Sequence, residues 1–195
     1  MRARRTTLVL VSLAIAAVPV LSTVPADAGV GCDGQAITIN LNSVPVPPNG
    51  PNGLPVYEGT NGPDVILGTA NPEEIHGLNG NDRICGRAGG DIILGGNGLD
   101  RVKGGANDDR LRQGAGGGLL VGGDGLDRLV GNIGNDTLRG GRDDDVLLGL
   151  QGNDALDGGT GVSVILDPPE TATDTCNGGP GNDTQTRCET SSNFP

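Results

Sequence analysis

The sequence predicts an all-β solenoid in which nine-residue units stack two to a coil, and three observations carry that prediction. First, a nine-residue unit restarts twelve times without a gap from Gly59 to Leu166, as in GLNGNDRIC (77–85), GRAGGDIIL (86–94) and GGNGLDRVK (95–103). Second, its eighth position is always Ile, Val or Leu: Ile66, Ile75, Ile84, Ile93, Val102, Leu111, Leu120, Leu129, Leu138, Leu147, Leu156 and Ile165. Third, its sixth position is Asp in nine copies: Asp64, Asp82, Asp91, Asp100, Asp109, Asp127, Asp136, Asp145 and Asp154. The first position is Gly in eleven copies, with Gln113 the exception. Many glycines with one Tyr, one Phe and no Trp would ordinarily indicate disorder. A disordered chain has no reason to place an aliphatic residue at every ninth position, so the periodicity decides.

Ahead of the array, Arg2, Arg4 and Arg5 precede an apolar run from Leu8 to Leu21 and then Ala26-Asp27-Ala28, the layout of a cleavable secretory signal over residues 1–28. Fourteen apolar residues fall short of the ~20 that span a bilayer as a helix, which disfavours a membrane anchor. A lipid-attached Cys32 is the lesser alternative, and the Arg4-Arg5 pair is a weak twin-Arg signal. Cleavage takes the net charge from -11 to -13, which disfavours nucleic acid and anionic membranes and suits cations. An exported chain with four cysteines is expected to hold two disulfides, with three connectivities possible. Cys176 and Cys188 flank a repeat-like segment and are expected to close a local loop, leaving Cys32 to tie to Cys85.

Residues 29–58 form a Pro/Gly-rich leader whose VPVPPNGPNGLPV favours extended backbone. Residues 59–166 are the roll, and residues 167–195 are a cap made of a loop (167–177), a degenerate copy (GGPGNDTQT) and a polar tail. In that copy Gln185 stands where the aliphatic residue belongs, as suits an end that meets solvent. Within each unit the first six residues read as a turn, with glycines at the first, second and fourth positions permitting positive φ, and Asn71, Asn107 and Asp143 as fourth-position substitutes. The last three read as a strand pointing out, in, out. Twelve units make six coils, roughly 29 Å long at ~4.8 Å per strand.

This stacking places the sixth-position groups in two rows: Asp64, Asp82, Asp100, Gly118, Asp136, Asp154, and Glu73, Asp91, Asp109, Asp127, Asp145, Ser163. Unit charges one strand apart repel by roughly 3 to 4 kcal/mol at an effective dielectric of 20, so a cation is expected between them. Carboxylates and turn carbonyls are hard oxygen donors, which suit Ca²⁺ with its six to eight ligands. Zinc or copper would want His or Cys, and the array holds one of each.

The units resemble the nonapeptide GGxGxDxUx of the repeats-in-toxin (RTX, hemolysin-type) calcium-binding family, over residues 59–166. The resemblance implies a parallel β-roll, Ca²⁺ held between stacked turns by sixth-position Asp side chains and turn carbonyls, and calcium-dependent folding. It assigns metal binding to the nine aspartates above. Facing pairs would be 64/82, 82/100 and 136/154 on one edge and 91/109, 109/127 and 127/145 on the other, for about six ions. Gly118 removes a carboxylate, so sites 100/118 and 118/136 are expected to be weak or empty and their coil the least protected. Glu73 can still ligate with a longer arm, and Ser163 is a poor substitute.

Little speaks for catalysis. A single His76 rules out HExxH, and Lys103 belongs to no phosphate-binding GK[ST]. The GxGxxG match at residues 29–34 has no strand before it. His76 reads as a solvated outer-face residue, and Arg83, Arg101, Arg110, Arg112, Arg128 and Arg139 as offsets to nearby carboxylates. The expectation is a secreted, extracellular, non-enzymatic calcium-binding roll acting as a structural or surface module, without membrane insertion or nucleic acid. The alternative is a calcium-dependent adhesion module that binds a cell-surface or protein partner through apolar pairs on the exposed sheets: Ile92/Leu94, Leu119/Val121 and Val146/Leu148.

Overall fold

The structure, a computed structural model, describes Cys32, residues 38–40, 49–166, 175–177, 184–186 and 190–192. The expected signal peptide lies outside these residues, as do most of the GxGxxG segment and Cys188 with its expected bond to Cys176. Among the described residues the strands form one nine-stranded and one eight-stranded sheet, both parallel, with successive strands alternating between them. Each repeat pairs with the repeat eighteen residues on, as in Ile84 with Val102 and Ile93 with Leu111. Two units therefore make one coil, and the fold is the parallel β-roll expected from the periodicity.

The strand is longer than its expected three residues. From Glu74 to Thr160 each strand runs six residues, for example Arg83–Ala88 and Ile92–Asn97, from the seventh position through the third position of the next unit. The turn is correspondingly reduced to positions four to six. First-position glycines lie within the strand and are absent from the positive-φ set, which falls at the second and fourth positions instead. The ladder skips the first position and resumes at the second, with Arg87 opposite Gly105 and Ala88 opposite Ala106. Fourth-position Asn107 (φ 80°) and Asp143 (φ 73°) take the left-handed region as expected. Asn71 does not, because it precedes Pro72, and the residue before a proline is pushed to extended backbone.

The eighth-position residues are the core, and all twelve are at most 2% exposed. Seventh and ninth positions face outward, as the alternating burial of Leu119–Asp124 and Val146–Gln151 shows. This column continues past the N-terminal end of the array, and the backbone pairing continues past both ends. Ile39, in the strand Ile39–Asn40, lies opposite Ile66, and Tyr57, in Val56–Glu58, lies opposite Ile75. Part of the expected leader thus adds a coil ahead of the array, with Tyr57 buried at that end. At the other end Thr175–Asn177, expected within a loop, is a strand with Cys176 opposite Leu156. Gln185 stacks opposite Ile165, in the register assigned to the degenerate copy. Of the three possible pairings, the Cys32–Cys85 bond is present, with Cα atoms 5.6 Å apart, and ties the leader to the strand Arg83–Ala88.

Leu78, Arg87, Asn132 and Leu150 hold positive φ at the second position, where half of the copies have Gly. For a residue with a Cβ this conformation costs about 1 kcal/mol. Arg87 is exposed. Arg87→Gly is therefore expected to stabilise the roll by up to about 1 kcal/mol, read as a higher unfolding midpoint in saturating calcium. A lower midpoint would show that the arginine side chain contributes more than its backbone costs.

Candidate metal centre

The strand geometry brings the sixth-position side chains into two buried stacks. Every facing pair read from the sequence is in contact through one recurring hydrogen bond. The backbone N–H of a sixth-position residue donates to carboxylate Oδ1 of the sixth-position residue one coil on. The distances are 2.8 Å for Asp64 to Asp82, 2.9 Å for Asp82 to Asp100 and 2.8 Å for Asp136 to Asp154. On the other edge they are 2.8 Å for Asp91 to Asp109, 2.9 Å for Asp109 to Asp127 and 3.0 Å for Asp127 to Asp145. Glu73 joins the second stack by donating to Asp91 at 2.9 Å, and the Ser163 hydroxyl oxygen ends it by accepting from Asp145 at 3.4 Å. The matching carbonyls accept from the next coil, as Asp64 does from Arg83 at 2.8 Å. Neighbouring carboxylates are therefore separated by a backbone donor, which eases the repulsion inferred from spacing alone.

The second carboxylate oxygen is where the protein's own donors run out. Oδ2 of Asp82, Asp91, Asp109, Asp127, Asp136 and Asp145 is buried with no hydrogen-bond partner. A buried charged oxygen left unpaired is costly, so these atoms call for a proton or a cation. Each aims at the first-position glycine of its own unit. A Cβ at Gly77 would lie 2.7 Å from Asp82 Oδ2 and 2.4 Å from the Gly95 carbonyl oxygen. At Gly86 the corresponding distances are 2.3 Å to Asp91 Oδ2 and 2.7 Å to the Gly104 carbonyl, and at Gly140 they are 2.2 Å to Asp145 Oδ2 and 2.6 Å to the Gly158 carbonyl. Glycine at position one thus keeps open a cradle lined by one carboxylate oxygen and one carbonyl oxygen. Among the described residues no three His, Cys, Asp or Glu side chains converge on a common point. The donor set is hard oxygen throughout and fits Ca²⁺ in kind, with backbone carbonyls needed to complete its shell.

Burial also governs protonation. It pushes Asp109 up to about 8, Asp91, Asp136 and Asp145 to about 7, and Asp82 and Asp127 to about 6, and it raises Asp100 as well. Donated backbone N–H groups pull the other way at Asp82, Asp91, Asp109, Asp127 and Asp145, and neighbouring acids add to the rise.

Three sixth-position carboxylates differ because the chain satisfies them itself. Asp64 Oδ2 accepts from the Thr60 N–H at 2.6 Å and the Thr60 hydroxyl at 2.9 Å. Glu73 accepts from the Thr69 N–H at 3.1 Å and from the Thr69 hydroxyl. Asp100 Oδ2 accepts from Gln113 Nε2 at 3.3 Å. Gln113 was visible in the sequence only as a missing glycine, and neither threonine carried a signal. Of the other polar groups, His76 lies on an outer strand position as read, but its Nε2 is 2.9 Å from Glu74 Oε1. The arginines divide. Arg142 pairs with Asp124 at 3.2 Å, whereas Arg110, Arg112 and Arg128 share an outer cleft with Ile92, Leu94 and Val130 and have no carboxylate partner among the described residues.

A family model described as the RTX calcium-binding nonapeptide repeat (4 copies) matches residues 58–93, 86–120, 113–147, 121–156, 130–165 and 172–185. No curated protein matches the chain.

The raised carboxylates set a pH dependence for the metal-free roll. Between the ordinary value of 3.8 and about 8 the folded state holds more protons than the unfolded chain, so its stability falls as pH rises through that window. In excess chelator the denaturant midpoint is expected to be higher at pH 5.5 than at pH 8, and saturating calcium should narrow the difference. A midpoint that rises with pH in chelator would contradict the burial of these groups.

Proposed function

The chain belongs to the RTX calcium-binding nonapeptide repeat family, and on that premise we propose that it is an exported, non-enzymatic β-roll whose folded state is stabilised by Ca²⁺ held along its two carboxylate stacks. The supporting observation is the run of buried, unpartnered Oδ2 atoms at Asp82, Asp91, Asp109, Asp127, Asp136 and Asp145. Bound calcium supplies positive charge to oxygens that otherwise need protons. Asp82, Asp91, Asp109, Asp127, Asp136, Asp145 and Asp154 are the proposed side-chain ligands, and carbonyls of neighbouring units complete the shell, whereas Asp64 and Asp100 are held by the chain's own donors. The N-terminal Arg and apolar pattern supports export.

A second reading, a calcium-dependent adhesion module, draws support from the outer face of one sheet. Arg110 and Arg128 are register neighbours there, and like charges directly opposite are unfavourable unless a partner uses them. With Arg112, Ile92, Leu94 and Val130 they form a cationic and apolar strip on an acidic protein. Cell-surface and glycan binding with calcium and with chelator separates the two readings.

Circular dichroism of the chain beginning at Gly29 should show calcium converting it from expanded to β-rich at pH 8, in the ~10⁻⁴ to 10⁻³ M range of extracellular modules. An identical β-rich spectrum in excess chelator at that pH would overturn the coupling of folding to calcium. Asp109→Ala removes a carboxylate shared by the 91/109 and 109/127 pairs, whereas Asp154→Ala touches 136/154 alone. Calorimetric ion counts are expected to fall by about two and about one respectively. Equal losses would argue against shared, stacked sites.

A further inference from the structure

The two largest departures from the repeat pattern fall in one unit, QGAGGGLLV (113–121): Gln replaces the first-position Gly and Gly replaces the sixth-position Asp. The structure shows why they occur together. Elsewhere the first-position site is kept bare because the carboxylate of the same unit reaches into it, 2.2 Å from a Cβ placed at Gly104 or Gly122. In the unit 113–121 the roles are exchanged. The Gln113 side chain, 1% exposed, enters the space, and a Cβ at Gly118 would lie 2.2 Å from its Nε2 and 2.4 Å from its Cδ. Either residue excludes the other's usual partner, so the pair is one exchange of side chain between two backbone positions.

We propose that the Gln113 amide replaces a calcium ion on the Asp100 side of this gap, closing that side by a hydrogen bond and making it independent of calcium. The inference rests on the calcium reading above and concerns which coils need the ion. Gln113 Nε2 donates to Asp100 Oδ2 at 3.3 Å, and that oxygen is absent from the buried unpartnered set that includes Oδ2 of Asp82, Asp91 and Asp109, whereas the amide's own Oε1 belongs to that set. An amide N–H is a neutral donor, and it satisfies a carboxylate without a mobile ion. Thr60 and Thr69 do the same for Asp64 and Glu73 in the first coil, so the chain uses its own donors in two separate places. The backbone through the gap remains in register: Leu119 N–H bonds the Asp100 carbonyl at 2.9 Å, and Thr137 N–H bonds the Gly118 carbonyl at 2.8 Å. The expectation of a weak, open coil at Gly118 is therefore replaced by its opposite on the Asp100 side. On the far side Asp136 keeps a buried Oδ2 without a donor and still requires a cation.

Hydrogen exchange of the chain beginning at Gly29, in chelator at pH 7, tests this. Leu119 N–H is expected to be protected about ten- to hundredfold more than Arg128 and Val146 N–H, which bond the Asp109 and Asp127 carbonyls in the opposite row, because a hydrogen bond to a charged group contributes on that scale. Gln113→Glu keeps the shape but turns the donor into a second carboxylate, so the Leu119 protection should vanish in chelator and return with calcium. Gln113→Gly combined with Gly118→Asp restores the family pattern and should add one to two calcium ions by calorimetry. Gly118→Asp alone meets the Gln113 side chain and should add none. Leu119 exchange as fast as that of Arg128 and Val146 in wild type, or unchanged by Gln113→Glu, would overturn the proposal. If wild type binds no calcium at all, the calcium reading fails, and Leu119 protection then measures the amide by itself.

Discussion

The roll is organised around the contact between a sixth-position carboxylate and the backbone one coil away. A single Asp side chain does two jobs there. Its Oδ1 takes the backbone N–H of the preceding coil, as Asp100 does from Asp82, which sets the eighteen-residue register at the turn. Its Oδ2 turns toward the first-position glycine and is left without a donor in six of the aspartates. The first task is structural and complete within the chain. The second is incomplete, and that incompleteness couples the fold to something in solution, a proton at low pH or a hard cation at neutral pH. A core one aliphatic residue deep per unit offers little to offset buried unpaired charge, so the occupant of Oδ2 weighs heavily in whether the coils stay stacked.

Much of this was legible in the sequence because a repeat converts local spacing into three-dimensional position. Once Ile84 and Val102 occupy the same column, Asp82 and Asp100 must share an edge, and the six facing pairs follow without further information. The limits of the strand were not legible. GlyGly at positions one and two reads as a turn, yet the first glycine is bare for space and only the second needs positive φ. Those two reasons for glycine leave the same letter in the sequence. The ends of the array were hidden for a different reason: Ile39 and Tyr57 carry the core column in segments with no nonapeptide around them, so periodicity is silent exactly where pairing continues.

The carboxylates that the chain satisfies itself were also beyond sequence reasoning, since Thr60, Thr69 and Gln113 acquire meaning only when their donors are seen against Asp64, Glu73 and Asp100. Their distribution gives the solenoid a gradient of dependence. The first coil of the array holds its acids with threonines, lies between the leader and the strand Arg83–Ala88 that the Cys32–Cys85 bond links, and has its core covered by Tyr57. The long uninterrupted stack from Asp91 to Asp145 on the other edge has no such donors for Oδ2. In a quasi-one-dimensional fold, stability is close to a sum of unit terms and nearest-neighbour terms, and folding propagates from wherever a coil is already favourable.

An end that needs no ion can therefore act as a template onto which ion-dependent coils add. Forming the first coil costs chain entropy that no neighbouring strand yet repays. Once it stands, each further coil gains a parallel ladder, one buried aliphatic residue per unit and a cradle whose oxygens lie opposite carbonyls already fixed in place. Calcium binding then meets donors that are partly organised, and the entropy of assembling the shell is divided among successive coils. An ion-independent contact at Gln113 serves the same purpose midway, by limiting how far the loss of one ion can unzip the row. On this reading the residues that break the repeat, Thr60, Thr69 and Gln113 beside their acids, set which coils lean on the ion and which do not.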